Sequence, residues 1–211
     1  MKIKGFRQIA RSVKYKLKEL IVQPPDNDAG LKKLIADGNL VVGEDCLLDG
    51  LEIYNYEFQK NTPNVTIGNS CHIMGRIALN SPTAKITIGD RVFIGPDTTL
   101  FCRESISIED DVMISWGCTI IDTNAHSLKS AERKDDVIDW KKGYQYKNWD
   151  VAKSAPVNIK AKAWIGFNSI ITKGVTIGEG TVVGCGSVVA GSTKSYTVVG
   201  GNPAAFIKDT E

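Results

Sequence analysis

The sequence is short of several things, and each shortage narrows what the protein does. There are two histidines in 211 residues, too few for a zinc site built on three imidazole ligands. Five cysteines, an odd number with no C-x-x-C pair, argue against a disulfide framework or a zinc cluster and for reduced thiols. A net charge of +2 is too small to mark a nucleic-acid binder. No apolar run approaches the roughly 20 residues of a membrane span, and the first residues lack the apolar core and small-residue cleavage site of a signal peptide, so a cytoplasmic protein is expected. Hydrophobic residues make up 42% of the chain, enough for one main domain with its own core.

What is present is a repeat of six. Ile159, Ile165, Ile171, Ile177, Val183 and Val189 recur without a break, and glycine follows the aliphatic at Gly166, Gly178 and Gly184. The fifth place of these hexads is Ala163, Ser169, Val175, Thr181, Ser187 and Thr193. The same frame appears at Ile67 and Ile73, at Ile88, Ile94 and Leu100, and after a two-residue slip at Ile108, Ile114 and Ile120, with weaker copies from Val42 and Leu48. A helix would let a six-residue series drift around its faces, and a flat strand has no place for a small residue at a fixed offset. A short strand followed by a tight corner has such a place. The aliphatic points inward, the residue after it allows the corner, and the fifth residue fills the remaining space. Three such sides close a coil of eighteen residues, and stacked coils pair their backbones, which predicts a parallel β-helix prism.

With "TIGEGTVVGCGSVV" followed by "VVGGNPAAFIK", the chain resembles the hexapeptide-repeat acyltransferases over about residues 40 to 208. That resemblance implies an all-β, left-handed parallel β-helix with a short helical N-terminal segment and a long extruding loop; the handedness rests on the resemblance alone. The expected organisation is a helical segment over 1–39, the β-helix over 40–200 with a loop inserted at 127–156, and a tail over 201–211. Cys46, Cys71 and Cys118 fall at the fifth place of a hexad, where packing explains them, whereas Cys102 and Cys185 fall at corner places. Neither Cys102 nor Cys185 has a neighbouring base in the sequence, so no thiolate nucleophile is expected.

The frame breaks at "IIDTNAHSL", where the aliphatic due at position 126 is His126. The following segment keeps no hexad frame, is densely charged, and carries Trp140, Tyr144, Tyr146 and Trp149. An insertion of that length is usually functional or disordered, and its aromatics favour function. In the maltose and galactoside acetyltransferases and related sugar acetyltransferases the catalytic histidine stands at the corresponding loop exit, so the resemblance implies His126 as general base. Acyl transfer from a thioester requires a proton to leave the attacking hydroxyl or amine, and imidazole has a pKa suited to that task. Its other ring nitrogen needs an acceptor, for which Asp122 or a backbone carbonyl is expected. Asn124, Trp140 and Trp149 are expected to contact the acceptor. His72, without a comparable loop, reads as structural.

On the donor side the resemblance makes Trp164 a wall of an acyl-CoA channel, with Gly166 and Phe167 at the adjacent corner and Cys185, Gly186 and Ser187 one coil later along the pantetheine arm. Lys194 and Lys208 are placed to meet the CoA phosphates, although "AGSTKS" displaces the lysine from the Thr-Lys-Asp usual in these enzymes. Acetyl-CoA as co-substrate without a metal, a homotrimer with shared sites, and a sugar or nucleotide-sugar acceptor follow from the same resemblance. An antibiotic-modifying acetyltransferase of this fold and a non-catalytic scaffold are the alternatives. Finally, Phe6, Ile9, Val13, Leu17 and Leu20 recur at helical spacing among seven cations in residues 1–21, which predicts an amphipathic basic helix that caps the prism or touches an anionic membrane. A short second helix is expected near "AGLKKLIADG".

Overall fold

In the computed structural model, which describes residues 27–55, 59–143 and 146–210, the aliphatic hexads form the inner walls of a left-handed parallel β-helix of about seven turns. The chain begins with helix α1 (Asn27–Ala36) and strands β1 (Leu40–Val42), β2 (Glu52–Asn55), β3 (Val65–Ile67), β4 (His72–Leu79), β5 (Lys85–Ile88) and β6 (Phe93–Cys102). Next come β7 (Ser105–Ile108), β8 (Met113–Ile114) and β9 (Thr119–Ile121), then two short helices, α2 (Ser130–Arg133) and α3 (Asp136–Lys142). The prism resumes with β10 (Val157–Ile159), β11 (Trp164–Ile165), β12 (Ile170–Ile171), β13 (Thr176–Ile177), β14 (Val182–Val183) and β15 (Val188–Val189), and ends in β16 (Thr197–Gly201) and β17 (Ala204–Asp209).

One face stacks β1, β3, β5, β7, β10 and β13 in parallel. The other two are joined because β4 and β6 each run round a corner: Ile94 of β6 pairs with Ile114 of β8, while Leu100 of the same strand pairs with Ile120 of β9. Ile165 lies over Val183, eighteen positions on, and Ile171 over Val189 at the same interval. Like residue therefore stacks on like, and Ile165, Ile171, Ile177 and Val183 are all buried.

Corner geometry divides the glycines into two kinds. The left-handed conformation falls at the fourth place of the hexad, at Lys162, Asn168, Gly174, Gly180 and Gly186, and it turns the chain there whatever the side chain. The glycine directly after the aliphatic answers a different demand, close approach between coils. A Cβ on Gly178 would stand 2.5 Å from the backbone nitrogen of Ser195, whereas one on Gly184 would meet nothing nearer than 3.4 Å. Gly178→Ala is accordingly expected to lower stability by about 1–3 kcal/mol, as forced overpacking does, and Gly184→Ala by well under about 1 kcal/mol. Thermal unfolding of the two variants checks this difference.

Each end of the solenoid is partly covered. Leu31 and Leu34 of α1 pack on the first coil, with Gly38 in the left-handed region just after the helix. At the other end β17 reverses and pairs antiparallel with β16, so the last strand meets the chain's own tail. The basic segment 1–21 and its choice between cap and membrane lie outside the described residues. No helix among the described residues is long and apolar enough to cross a membrane.

Three expectations change. The corner placing of Cys102 is wrong: it is fully buried, because the two-residue slip lengthens that side and β6 continues its inward alternation from Leu100 to Cys102. Burial, reinforced by the Asp122 carboxylate, pushes its thiol well up from the usual range, which makes it inert. His126 does not occupy the inward place that the repeat count assigns to it, since the chain leaves the prism after Asp122. The insertion is also not without structure, as it contains α2 and α3.

Candidate active site

The insertion leaves and rejoins the prism through a narrow stem. Thr123 bridges Ser154 in antiparallel fashion, the Asn124 backbone N–H donates to the Lys153 carbonyl, and the Ala155 N–H donates to that of Asp122. Immediately beyond the stem, the His126 N–H donates back to the Asn124 carbonyl at 2.6 Å across Ala125, a non-glycine residue at φ 59°. Such a turn holds Ala125 in a sparsely populated conformation, and local strain of this kind persists where the surroundings fix a side chain's direction. His126 is thus carried outside the prism wall, its side chain 38% exposed.

The acceptor for its ring is not Asp122. That carboxylate is fully buried and already occupied by the backbone N–H groups of Arg103 (2.8 Å) and Glu104 (2.7 Å) and the Cys102 thiol (3.4 Å). Burial raises its pKa, and the backbone donors only partly offset this. Asp122 therefore fastens one coil to the next. The ring partner comes from the insertion: Nδ1 of His126 lies 2.5 Å from Oδ2 of Asp136, at the start of α3. The same oxygen accepts a hydrogen bond from the Lys147 ammonium, also at 2.5 Å. Burial alone would raise the Asp136 carboxyl, but the Lys147 and His126 hydrogen bonds hold it below the usual range.

Aromatic residues close this group. Trp140 meets the imidazole edge-on at 5.0 Å between centroids. The Lys147 ammonium lies over Trp140 at 5.5 Å and over Trp149 at 5.0 Å, and the Arg103 guanidinium lies over Trp149 at 5.1 Å. The two indoles expected to contact an acceptor are therefore placed around Lys147 and His126. Neither Asp136 nor Lys147 was singled out from the sequence, because they stand 10 and 21 positions from His126 in a segment with no period. Asn124 contributes its backbone carbonyl to the His126 turn.

The donor-side residues gather on a different corner. Trp164 is 49% exposed on the outer face of β11, and its indole donates to the Ser115 hydroxyl at 3.4 Å. The Phe167 ring stacks flat on Trp116 one coil below, 5.0 Å apart, forming an exposed aromatic ledge. Trp116 and Phe167 both stand two places after the inward aliphatic, so the repeat register carries the signal for this stack. Gly166 is buried, while Cys185 and Gly186 lie exposed beside Phe167, whose carbonyl accepts the Gly186 N–H. Ser187 points inward instead: it is buried, and its hydroxyl donates to the Gly184 carbonyl and accepts from the Gly201 N–H. As the fifth residue of its hexad it packs the core, so its side chain does not reach a ligand. Lys194 and Lys208 are exposed, on a corner and on β17.

Among the described residues no group of three or more acidic, histidine or cysteine side chains is placed to hold a metal ion. The family model described as the hexapeptide repeat of succinyl-transferase matches residues 85–121 and 156–190, the two stretches that flank the insertion. A Mycobacterium tuberculosis protein named as an acetyltransferase is 30% identical over 145 residues, 69% of this chain and 44% of that protein, so the match spans under half of the relative. WcaF of Escherichia coli K12, named for acetyl transfer in colanic acid biosynthesis, is 29% identical over 143 residues, 68% of each chain. Among solved structures, a variant of AntD, an N-acyltransferase from Bacillus cereus bound to dTDP and coenzyme A, superposes with a TM-score of 0.64 at 28% identity, covering 85% of this chain and 89% of that one.

Proposed function

We propose that the chain is a hexapeptide-repeat acyltransferase that transfers an acetyl group from acetyl-CoA to a hydroxyl or amino group of a sugar, nucleotide sugar or glycan. The observation that carries this reading is a half-exposed imidazole whose Nδ1 is held by a buried carboxylate, which leaves Nε2 to act on an acceptor. The acetyltransferase names of two relatives support the transfer, and the dTDP and coenzyme A bound to AntD support a nucleotide sugar among acceptors and CoA as carrier.

In this mechanism the acceptor oxygen or nitrogen attacks the thioester carbonyl while Nε2 of His126 removes its proton. The tetrahedral intermediate then collapses with loss of the CoA thiolate, and the imidazolium returns the proton to the sulfur. Asp136 keeps the ring in one tautomer and stabilises the transient imidazolium. The exposed ledge of Trp164, Phe167 and Trp116 suits the apolar stem of the donor. We propose that the complete site lies between neighbouring subunits of a homotrimer, with the ledge of one subunit facing the His126 cluster of the next.

A thiol-release assay with acetyl-CoA and a panel of free sugars, nucleotide-linked aminosugars and glycans tests this reading, with release expected only when an acceptor is present. In the same assay Trp164→Ala is expected to raise the acetyl-CoA KM about five- to tenfold with kcat little changed, since one aromatic contact is worth on the order of 1 kcal/mol. A rise in the acceptor KM instead would move Trp164 to the other half of the site.

A further inference from the structure

We infer that Lys147 is a positioning residue for acyl transfer: boxed by Trp140 and Trp149, its ammonium fixes the Asp136 carboxylate so that His126 carries its proton on Nδ1 and presents a free Nε2. The catalytic part of this inference rests on the function proposed above; the state of the His126 ring does not.

The first argument is burial. The Lys147 side chain is 0% exposed, and an ammonium moved out of water loses hydration that a single ion pair seldom repays in full. An apolar residue of similar length would fill the space between two indoles without that cost. A charge retained there therefore points to what it does for its neighbours, and its neighbours are Asp136 and His126.

The second argument is the sharing of one oxygen. Asp136 Oδ2 lies 2.5 Å from both Nδ1 of His126 and Nζ of Lys147. A lone pair on Nδ1 facing a carboxylate oxygen at that distance would be repulsive, so Nδ1 carries the hydrogen and donates it. Lys147 Nζ is 3.3 Å from Nδ1, near enough to act on the ring electrostatically, and it lies over both indole rings.

The third argument is charge balance. Left alone with a buried carboxylate, an imidazole is drawn toward the doubly protonated form, which accepts no proton from a substrate. With Lys147 present the carboxylate is already neutralised, and the ring receives orientation without a net negative neighbour. The other charged groups around the ring's segment are engaged elsewhere. Glu132 accepts from the Ser127 hydroxyl and pairs with Lys129, Arg133 donates to the Ser127 and Leu128 carbonyls, and Arg103 lies beyond Trp149.

Ring-nitrogen NMR on the isotope-labelled full-length protein tests this without substrate, and with two histidines in the chain a His72→Ala background leaves one set of signals. The expected state of His126 is the ring with its hydrogen on Nδ1 and Nε2 free. Lys147→Met, which keeps the length and removes the charge, is expected to convert it to the doubly protonated ring and to lower kcat about tenfold or more with the acetyl-CoA KM unchanged. Asp136→Asn is expected to lose the Nδ1–H preference, and the combined variant to show a neutral ring again. A Lys147→Met protein whose His126 signals match the parent overturns the inference, whether or not its melting temperature falls, because a lysine that only anchors the insertion would change stability and leave the ring alone. If the parent transfers acetyl to no acceptor while the ring signals follow the expected series, the proposed function fails and the positioning network stands.

Discussion

His126→Ala is expected to lower kcat by roughly 100-fold or more while acetyl-CoA still binds, the minimum that removal of a general base costs. The expectation follows from three features: a strained turn that projects the ring beyond the prism, a carboxylate on Nδ1, and a side chain open on its remaining side. Each would be unnecessary for a histidine that only packs. His72 makes the contrast, since it lies in β4 with its ring edge-on to Phe93 and no insertion beside it. His72→Ala is expected to leave kcat within a few-fold of the parent. Steady-state kinetics of both variants decides the matter, and a His126→Ala enzyme with normal kcat would remove this residue from the mechanism.

Ile165→Ala is expected to have the largest effect on stability, a loss of about 2–5 kcal/mol. Ile165 is 0% exposed and lies in β11 between Ile114 below and Val183 above, in the middle of the stack. Deleting its branched chain removes buried methyl and methylene groups and leaves a hole that neighbouring coils, fixed by their backbone ladder, close only in part. For a chain of this length that loss corresponds to a fall in Tm of roughly 5 °C or more. A loss below about 1 kcal/mol would mean that the hexad aliphatics do not form a continuous close-packed core.

The prism was legible in the sequence because its interactions repeat. Each inward aliphatic stacks on its own kind in the next coil, so a local period encodes long-range contact, and the burial of Ile165, Ile171, Ile177 and Val183 follows directly. Where the period slipped, the reading failed: the extra residues before Ile108 carry Cys102 inward, and Asp122 occupies the equivalent place one coil later, fastening Arg103 and Glu104. His126 stood out as the break in the frame. Its partners did not, because the pairing of His126 with Asp136 and Lys147 depends on how an aperiodic insertion folds back through α3, and nothing in the spacing of these residues records that. Ser187 shows the opposite error, a residue read for a ligand although its fifth place in the hexad already assigned it to the core.

The most direct test of acetyl transfer is to follow the acetyl group itself. Acetyl-CoA labelled in the acetyl carbons is incubated with the full-length protein and each member of a panel of free sugars, nucleotide sugars and glycans, and the label is located by mass spectrometry. The account predicts that label appears on the hydroxyl or amine of at least one sugar acceptor in step with free CoA thiol, and that His126→Ala slows its appearance by roughly 100-fold or more. Label that remains on CoA with every acceptor, or that passes to water as acetate at a rate no acceptor changes, would contradict it.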